Sequence, residues 1–157
     1  MTPSKPSRPK KRARKRIDPV VIGWREWIDL PDLGVTGVKA KVDTGARTSA
    51  LHAIGLVEID GGDRVRFEIR PRQRNRIGMA TVECDVVDRR RIRSSNGRTE
   101  IRPVIRTSLQ LAGVTKTIEL TLTNRDEMGF RMLIGRQALR RHFLVDPATS
   151  FRGAEAP

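Results

Sequence analysis

The sequence predicts a mainly β domain with one short helix near its C-terminus. Of the 157 residues, 37% are apolar but only 4% are aromatic, and tyrosine is absent. The interior must therefore be built mainly from valine, isoleucine and leucine, which favour strands. Apolar and polar residues also alternate with a period of two in several segments, as in half-buried strands. The chain is long enough for one domain.

The predicted elements follow one another with short connections, which favours antiparallel pairing. Residues 20–30 are predicted to form a strand and its continuation. A hairpin is expected at 56–69, where alternating segments flank an Asp-Gly-Gly-Asp turn. The helix is expected after a final apolar segment, because Ala138, Leu139 and Phe143 can line one side. Further strands are expected at 38–42, 81–87, 101–105, 109–114, 118–123 and 130–134.

Asp43 follows the alternating strand at 38–42 and enters a turn of small residues. Gly45 can adopt backbone angles that other residues resist, so the chain can fold back and aim amide N–H groups at the carboxylate. Thr44 adds a hydroxyl that can tie the turn to a neighbour. A carboxylate held in this way suits general acid–base catalysis, although Asp-x-Gly is also a common hairpin turn.

The charge distribution predicts three regions. We expect a disordered basic arm at residues 1–18, a folded domain at 19–150 and a short tail at 151–157. Eight of the first 16 residues are lysine or arginine and none is acidic, within a total net charge of +14. Residues 1–16 could contact RNA or the ribosome non-specifically, guide acidic substrates, or serve only as a solvated tail.

The single cysteine, Cys84, excludes an intramolecular disulfide and points to a reducing compartment. The apolar run at 19–24 is too short for a signal peptide and is followed at once by charged residues. No stretch has the length and hydropathy of a membrane span. A cytoplasmic location without membrane contact is therefore predicted.

Three blocks of sequence resemble one protein family. They are KVDTGARTSALH at 41–52, SSNG at 94–97 with RPVI at 102–105, and TNRDEMGFRMLIGR at 123–136. On these motifs the chain resembles a retropepsin-like aspartic protease. It is more similar still to the bacterial family found with the RimK ligase and often labelled "ATP-dependent zinc protease". The resemblance covers about residues 20–150, and its third block is the most specific.

The resemblance implies a small retropepsin-like β-barrel with Asp43 as the catalytic residue in its Asp-Thr-Gly turn. The apolar strand that ends at Gly135 is then expected beside this turn, where only glycine leaves room. A hairpin with its turn at 94–97 is a candidate flap over the substrate, or else an ordinary surface hairpin. The catalytic motif is Asp43, Thr44 and Gly45, and the implied substrate-binding residues are Ala46, Arg47, Ser95, Asn96, Gly97, Arg102, Arg131, Gly135 and Arg136.

An aspartic protease uses two carboxylates that share one proton, and this chain has one Asp-Thr-Gly. A symmetric homodimer would supply Asp43 from each subunit. The alternative is that Asp126 or Asp85 supplies the second carboxylate within one chain.

Neither zinc nor ATP has support in the residues, although the family label names both. Only two histidines are present, and neither His52, His142 nor Cys84 has the spacing of a familiar zinc site. No Gly-x-x-x-x-Gly-Lys-Ser/Thr loop is present to hold nucleotide phosphates. We therefore predict no metal and no cofactor.

The sequence thus predicts a cytoplasmic, homodimeric aspartic endopeptidase. Its substrate is expected to be an acidic or glutamate-modified protein tail, because guanidinium groups bind carboxylates in pairs of hydrogen bonds. Some of these arginines could instead pair with acids of the same domain. The arginines in question are Arg47, Arg102, Arg125, Arg131 and Arg136. The alternative function is a non-catalytic RNA- or ribosome-binding module on a protease-like scaffold.

Overall fold

The computed structural model describes residue 2 and residues 14–72, 76–94, 96–124 and 129–157. Ser95, Arg125, Asp126 and most of the basic arm lie outside the described residues. The strands are β1 (Val20–Gly23), β2 (Arg25–Leu30), β3 (Val35–Val42), β4 (Ser49–His52), β5 (Ile54–Ile59), β6 (Arg64–Ile69), β7 (Ala80–Asp85), β8 (Asp88–Arg93), β9 (Thr99–Leu111), β10 (Val114–Thr123), β11 (Met132–Ile134) and β12 (Phe143–Asp146). One α-helix, α1 (Arg136–Leu139), lies between β11 and β12.

Six strands close into a barrel. Their order is β10, β4, β11, β3, β2 and β9, and β9 pairs back with β10 to complete the ring. Strand β8 extends outward from β9, and β5, β6 and β7 form a separate three-stranded sheet. The prediction of a mainly β, retropepsin-like barrel with one short helix is confirmed. No helix in the described part of the chain is long and apolar enough to cross a membrane.

The predicted antiparallel pairing is wrong for three strand pairs. Strand β1 pairs in parallel with β12, β4 with β10, and β3 with β11. Each pair joins strands that are distant in sequence, whereas connection length constrains only neighbours along the chain. The predicted hairpin of β5 and β6 is antiparallel as expected. The predicted strand and continuation at 20–30 divides at Trp24, because β1 pairs with β12 and β2 pairs with β3.

The core is mainly aliphatic and draws side chains from the barrel strands and from β6 and β7. Leu51, Ile105, Leu120 and Ile134 are fully buried. On β3, Val38 and Ala40 are also fully buried, and the strand ends at the start of the Asp43 turn. Packing of these side chains fixes the end of β3 and therefore the position of Asp43, which follows it.

The chain after β12 packs on the barrel through a buried acid. The Glu26 side chain is fully buried and accepts hydrogen bonds from the backbone N–H groups of Gly23 (2.8 Å), Arg152 (2.9 Å) and Gly153 (3.1 Å). Phe151 stacks on Trp27 with ring centroids 5.2 Å apart. These contacts hold the chain around residues 151–153 against β2. The boundary predicted at residue 150 stays a prediction.

Candidate active site

Asp43 is held by the turn that follows it. Its backbone N–H donates to the carbonyl of Ile134 at 2.9 Å, which ties the end of β3 to the end of β11. Its Oδ1 accepts hydrogen bonds from the N–H groups of Gly45 (3.1 Å) and Ala46 (3.3 Å). The expected arrangement, with amides aimed at the carboxylate, is confirmed. Asp43 is half-buried, so its other oxygen can face a ligand.

Gly135 allows β11 and the segment after Asp43 to come together. A Cβ atom on Gly135 would lie 2.5 Å from both the carbonyl carbon and the oxygen of Thr48, and 3.0 Å from the amide nitrogen of Ser49. The Gly135 N–H donates to the Ser49 hydroxyl at 3.0 Å in a buried hydrogen bond. The prediction that only glycine leaves room here is confirmed, and the close neighbour is the backbone of Thr48.

Arg136 fastens the Asp43 turn from outside. Its Nη1 donates to the carbonyls of Thr44 and Gly45, each at 2.9 Å. Its backbone N–H also donates to the Ala46 carbonyl at 2.8 Å. The turn is therefore held by its own amides on one side and by the start of α1 on the other. These contacts make Arg136 a positioning residue for the turn.

A cleft of about 430 Å³ opens beside Asp43. Of the predicted substrate-binding residues, Ala46, Arg47, Arg102 and Arg131 line it, whereas Asn96, Gly97, Gly135 and Arg136 do not. The other lining residues are Thr48, Ala50, His52, Arg91, Ile92, Arg93, Ser94, Thr121, Thr123, Phe130, Met132 and Leu133. The arginines of β8 and the threonines of β10 were not among the predicted substrate-binding residues. The alternation of Thr121 and Thr123 with leucines was the signal for the second pair.

The hairpin of β8 and β9 reaches the cleft, as expected for a candidate flap. Arg93 and Thr99 are its last paired residues. Its turn is closed by hydrogen bonds from Ser94 N to Arg98 O (2.8 Å) and from Gly97 N to Ser94 O (2.9 Å). Residues 91–94 of this hairpin line the cleft. Gly97 has φ of 82°, a left-handed conformation that favours glycine.

Two buried arginines shape the cleft wall. Arg102 is 8% exposed and Arg131 is 5% exposed, although both line the cleft. The Nε of Arg102 lies 3.5 Å from Glu100 Oε2, but forms no hydrogen bond within the described residues. Burial of a charge is costly unless it is paired. Glu100 already pairs with the Arg102 guanidinium by charge, and a carboxylate entering the cleft would add hydrogen bonds to it.

The positions of the other acids show which of them could supply the second carboxylate from within the same chain. Among the described residues lining the cleft, Asp43 is the only acid. Asp85 lies in another groove, where Arg64 Nε is 3.3 Å from its Oδ1. Asp126, the other in-chain alternative, lies outside the described residues.

The candidate metal ligands are dispersed. His52 lines the Asp43 cleft and His142 lines a different groove. Burial raises the pKa of the Cys84 thiol to about 11, with a further contribution from the charge of Asp85. Within the described ranges, no group of three or more His, Cys, Asp or Glu side chains is placed to hold a metal ion.

A closed barrel with an Asp-Thr-Gly turn beside an apolar strand that ends in glycine defines the retropepsin-like class. The family described as "RimB-like: Retropepsin-like aspartic endopeptidase RimB" matches residues 21–155. The chain belongs to this RimB-like family.

Relatives and a solved structure extend the comparison. A Shewanella pealeana protein named "Probable alpha-L-glutamate ligase" is 50% identical over 133 residues, which are 83% of this chain and 29% of that protein. A Desulfotalea psychrophila protein of the same name is 45% identical over 82% of this chain and 28% of its own length. The chain thus spans under a third of these relatives. A Legionella pneumophila crystal structure of unknown function matches with TM-score 0.70 and 30% identity, over 85% of this chain and 98% of that one.

Proposed function

We propose that this protein is a cytoplasmic aspartic endopeptidase in which Asp43 and the Asp43 of a second copy together activate water. The observation that carries the proposal is the Asp43 turn, which holds one carboxylate oxygen with two amides at the edge of an open cleft. Membership of a family described as aspartic endopeptidases supports it. The Asp43→Asn variant described in the Discussion is its test.

The proposed chemistry needs two carboxylates that share a proton. The ionised carboxylate takes a proton from water, and the protonated one gives its proton to the oxygen of the scissile carbonyl. Two close carboxylates cannot both ionise, so the pair titrates as one unit. The amides of Gly45 and Ala46 keep Asp43 in place while the proton moves.

An exposed apolar pair supports a second copy as the source of the other carboxylate. Val21 on β1 and Leu144 on β12 are register partners and are 41% and 57% exposed. They belong to a two-stranded sheet that is not hydrogen-bonded to the barrel strands but packs on the same core through Ile22 and Phe143. Covering such a pair with the same sheet of another copy gives a two-fold interface, as closed homodimers require.

The arginines around the cleft support an acidic substrate. Arg102 presents a buried guanidinium to the cleft, and Arg47, Arg91 and Arg93 surround the opening as exposed residues. Hydrogen bonds between guanidinium and carboxylate groups are stronger than neutral ones. Two relatives are named as glutamate ligases, which supports glutamate-modified protein tails as the substrate of this chain.

Replacing Arg102 with alanine is expected to raise KM for a glutamate-rich peptide about 10- to 100-fold. The physical reason is that the peptide carboxylate loses its buried partner in the cleft. Cleavage of a neutral peptide is expected to change much less. Steady-state kinetics on both peptides measures the difference, with Arg76→Ala, an exposed arginine away from the cleft, as the charge-matched control. Equal losses on both peptides would contradict a carboxylate-reading role.

The net charge of +14 and the basic arm favour a second candidate function, binding to RNA or ribosomes without catalysis. The two proposals differ in a direct assay. Salt-sensitive RNA binding by a protein that cleaves no acidic peptide would favour the binding module. Cleavage that depends on Asp43 would favour the peptidase.

A further inference from the structure

A second concave surface of about 510 Å³ lies away from Asp43, between the strands β9 and β10 and the chain around α1. Four basic side chains line it, and we name it the basic groove: Arg106, Lys116, Arg140 and Arg141. Glu119 is the only acid among its described lining residues. Its positive charges therefore outnumber its negative charges.

The ion pairs within the basic groove leave two arginines uncompensated. Glu119 is engaged by Arg90, and its Oε1 is 3.8 Å from Arg106 Nη2. Neither Arg140 nor Arg141 forms an ion pair with any described residue, and both are exposed. An anion could therefore bind both guanidinium groups without first breaking an ion pair within the described part of the protein.

Lys116 adds a third basic side chain to the lining of the groove. Its Nζ donates to the carbonyl of Ala138 at 2.9 Å, beside the end of α1. Burial lowers the pKa of Lys116, and the charges of Arg140 and Arg141 lower it further. The three cations are thus close enough to repel one another, and a bound anion would relieve that repulsion.

Arg141 is held in the groove at a conformational cost. Its φ is 71°, in the left-handed region that residues other than glycine rarely adopt. Such strain persists only where surrounding structure imposes it, and it recurs at ligand-binding positions.

The basic groove and the Asp43 cleft are linked by a third groove that shares lining residues with both. A connecting groove of about 700 Å³ shares Arg47 and Arg91 with the cleft and shares Glu119 and Gln137 with the basic groove. It is lined by further arginines of β8. An extended chain lying in the cleft can therefore follow a concave, mainly basic track to Arg140 and Arg141.

We infer that the basic groove is an exosite that binds an acidic segment of the same protein substrate whose scissile bond lies at Asp43. This inference rests on the proposed function for the identity of the occupant. Carboxylates spaced along a peptide match the exposed guanidinium groups. The shared lining with the cleft favours a peptide, and none of the described residues that line the basic groove is a Phe or Trp that could stack on nucleic-acid bases.

The test measures binding separately from cleavage. Fluorescence anisotropy would compare a short oligoglutamate peptide, which fills the cleft alone, with one several times longer, both on the Asp43→Asn protein. The double variant Arg140→Ala/Arg141→Ala is expected to bind the long peptide about five- to tenfold more weakly, since each exposed ion pair contributes at most about 1 kcal/mol. The short peptide should keep its affinity. The charge-matched control is Arg72→Ala with Arg76→Ala, two described residues that line neither the basic groove nor the cleft.

The outcomes separate the exosite from the peptidase. Loss of long-peptide affinity only in the groove variant supports the exosite, even if wild-type protein cleaves nothing and the proposed function fails. Equal losses in groove and control variants, or no binding of the long peptide, would overturn it. A single-stranded RNA oligonucleotide forms a third arm. Weakened RNA binding with unchanged long-peptide binding would assign the groove to nucleic acid and also overturn the inference.

Discussion

Asp43→Asn is expected to reduce peptide cleavage about a thousandfold or more. The asparagine amide has nearly the shape of the carboxylate, and its oxygen can still accept hydrogen bonds from the N–H groups of Gly45 and Ala46. It cannot take a proton from water or share one with a second carboxylate. The change therefore removes the proposed chemistry and keeps the turn. Rates on an acidic peptide, measured across pH, would show the loss.

The matched control for this variant is Asp85→Asn. Asp85 is an exposed carboxylate in a separate groove beside Arg64, so its loss should leave the rate within about twofold of wild type. Melting curves for both variants should match wild type, which would exclude damage to the fold. Equal cleavage by Asp43→Asn and wild type would remove the aspartic mechanism.

Gly135→Ala is expected to lower the free energy of unfolding by about 3 kcal/mol or more. The added Cβ would meet the Thr48 backbone at 2.5 Å, and backbone cannot move aside as a flexible side chain can. The segment carrying Thr48 must shift, and the Asp43 turn is bonded to the same region through Arg136. Activity should therefore fall together with stability.

Urea unfolding measures the stability change, with Gly34→Ala as the control. Gly34 has φ of 68° and open space around its missing Cβ, so alanine there meets only conformational strain of about 1 kcal/mol. A Gly135→Ala protein as stable as wild type would show that β11 and the Thr48 segment do not approach as closely as described.

The local sequence pattern predicted those parts of the site whose geometry depends on residues that are close in sequence. The alternation of β3 located the strand that carries Asp43, and the small residues after it predicted amides aimed at the carboxylate. The hairpin of β8 and β9 followed from its Asn-Gly turn. The place of Gly135 beside the Asp turn came from the family resemblance. These features depend on short-range geometry or on a specific motif.

Features that join distant segments were not predictable from pattern. Barrel closure through the parallel pairs of β3 with β11 and β4 with β10 depends on packing across the whole chain. Arg102 and Arg136 are the same residue type near the same motifs, yet one is buried in the cleft and the other binds backbone carbonyls. Glu26 is an acid at an alternating strand position, and its burial is explained by the backbone amides of Gly23, Arg152 and Gly153.

The central claim, that two copies of Asp43 form one site, is tested most directly by mixing subunits. Wild-type and Asp43→Asn proteins would be exchanged in equal amounts at fixed total concentration, and cleavage of an acidic peptide would be compared with that of wild type alone. If both carboxylates are needed, only wild-type pairs cleave, and about a quarter of the activity should remain. About half the activity would mean that each chain works by itself and would contradict the shared site.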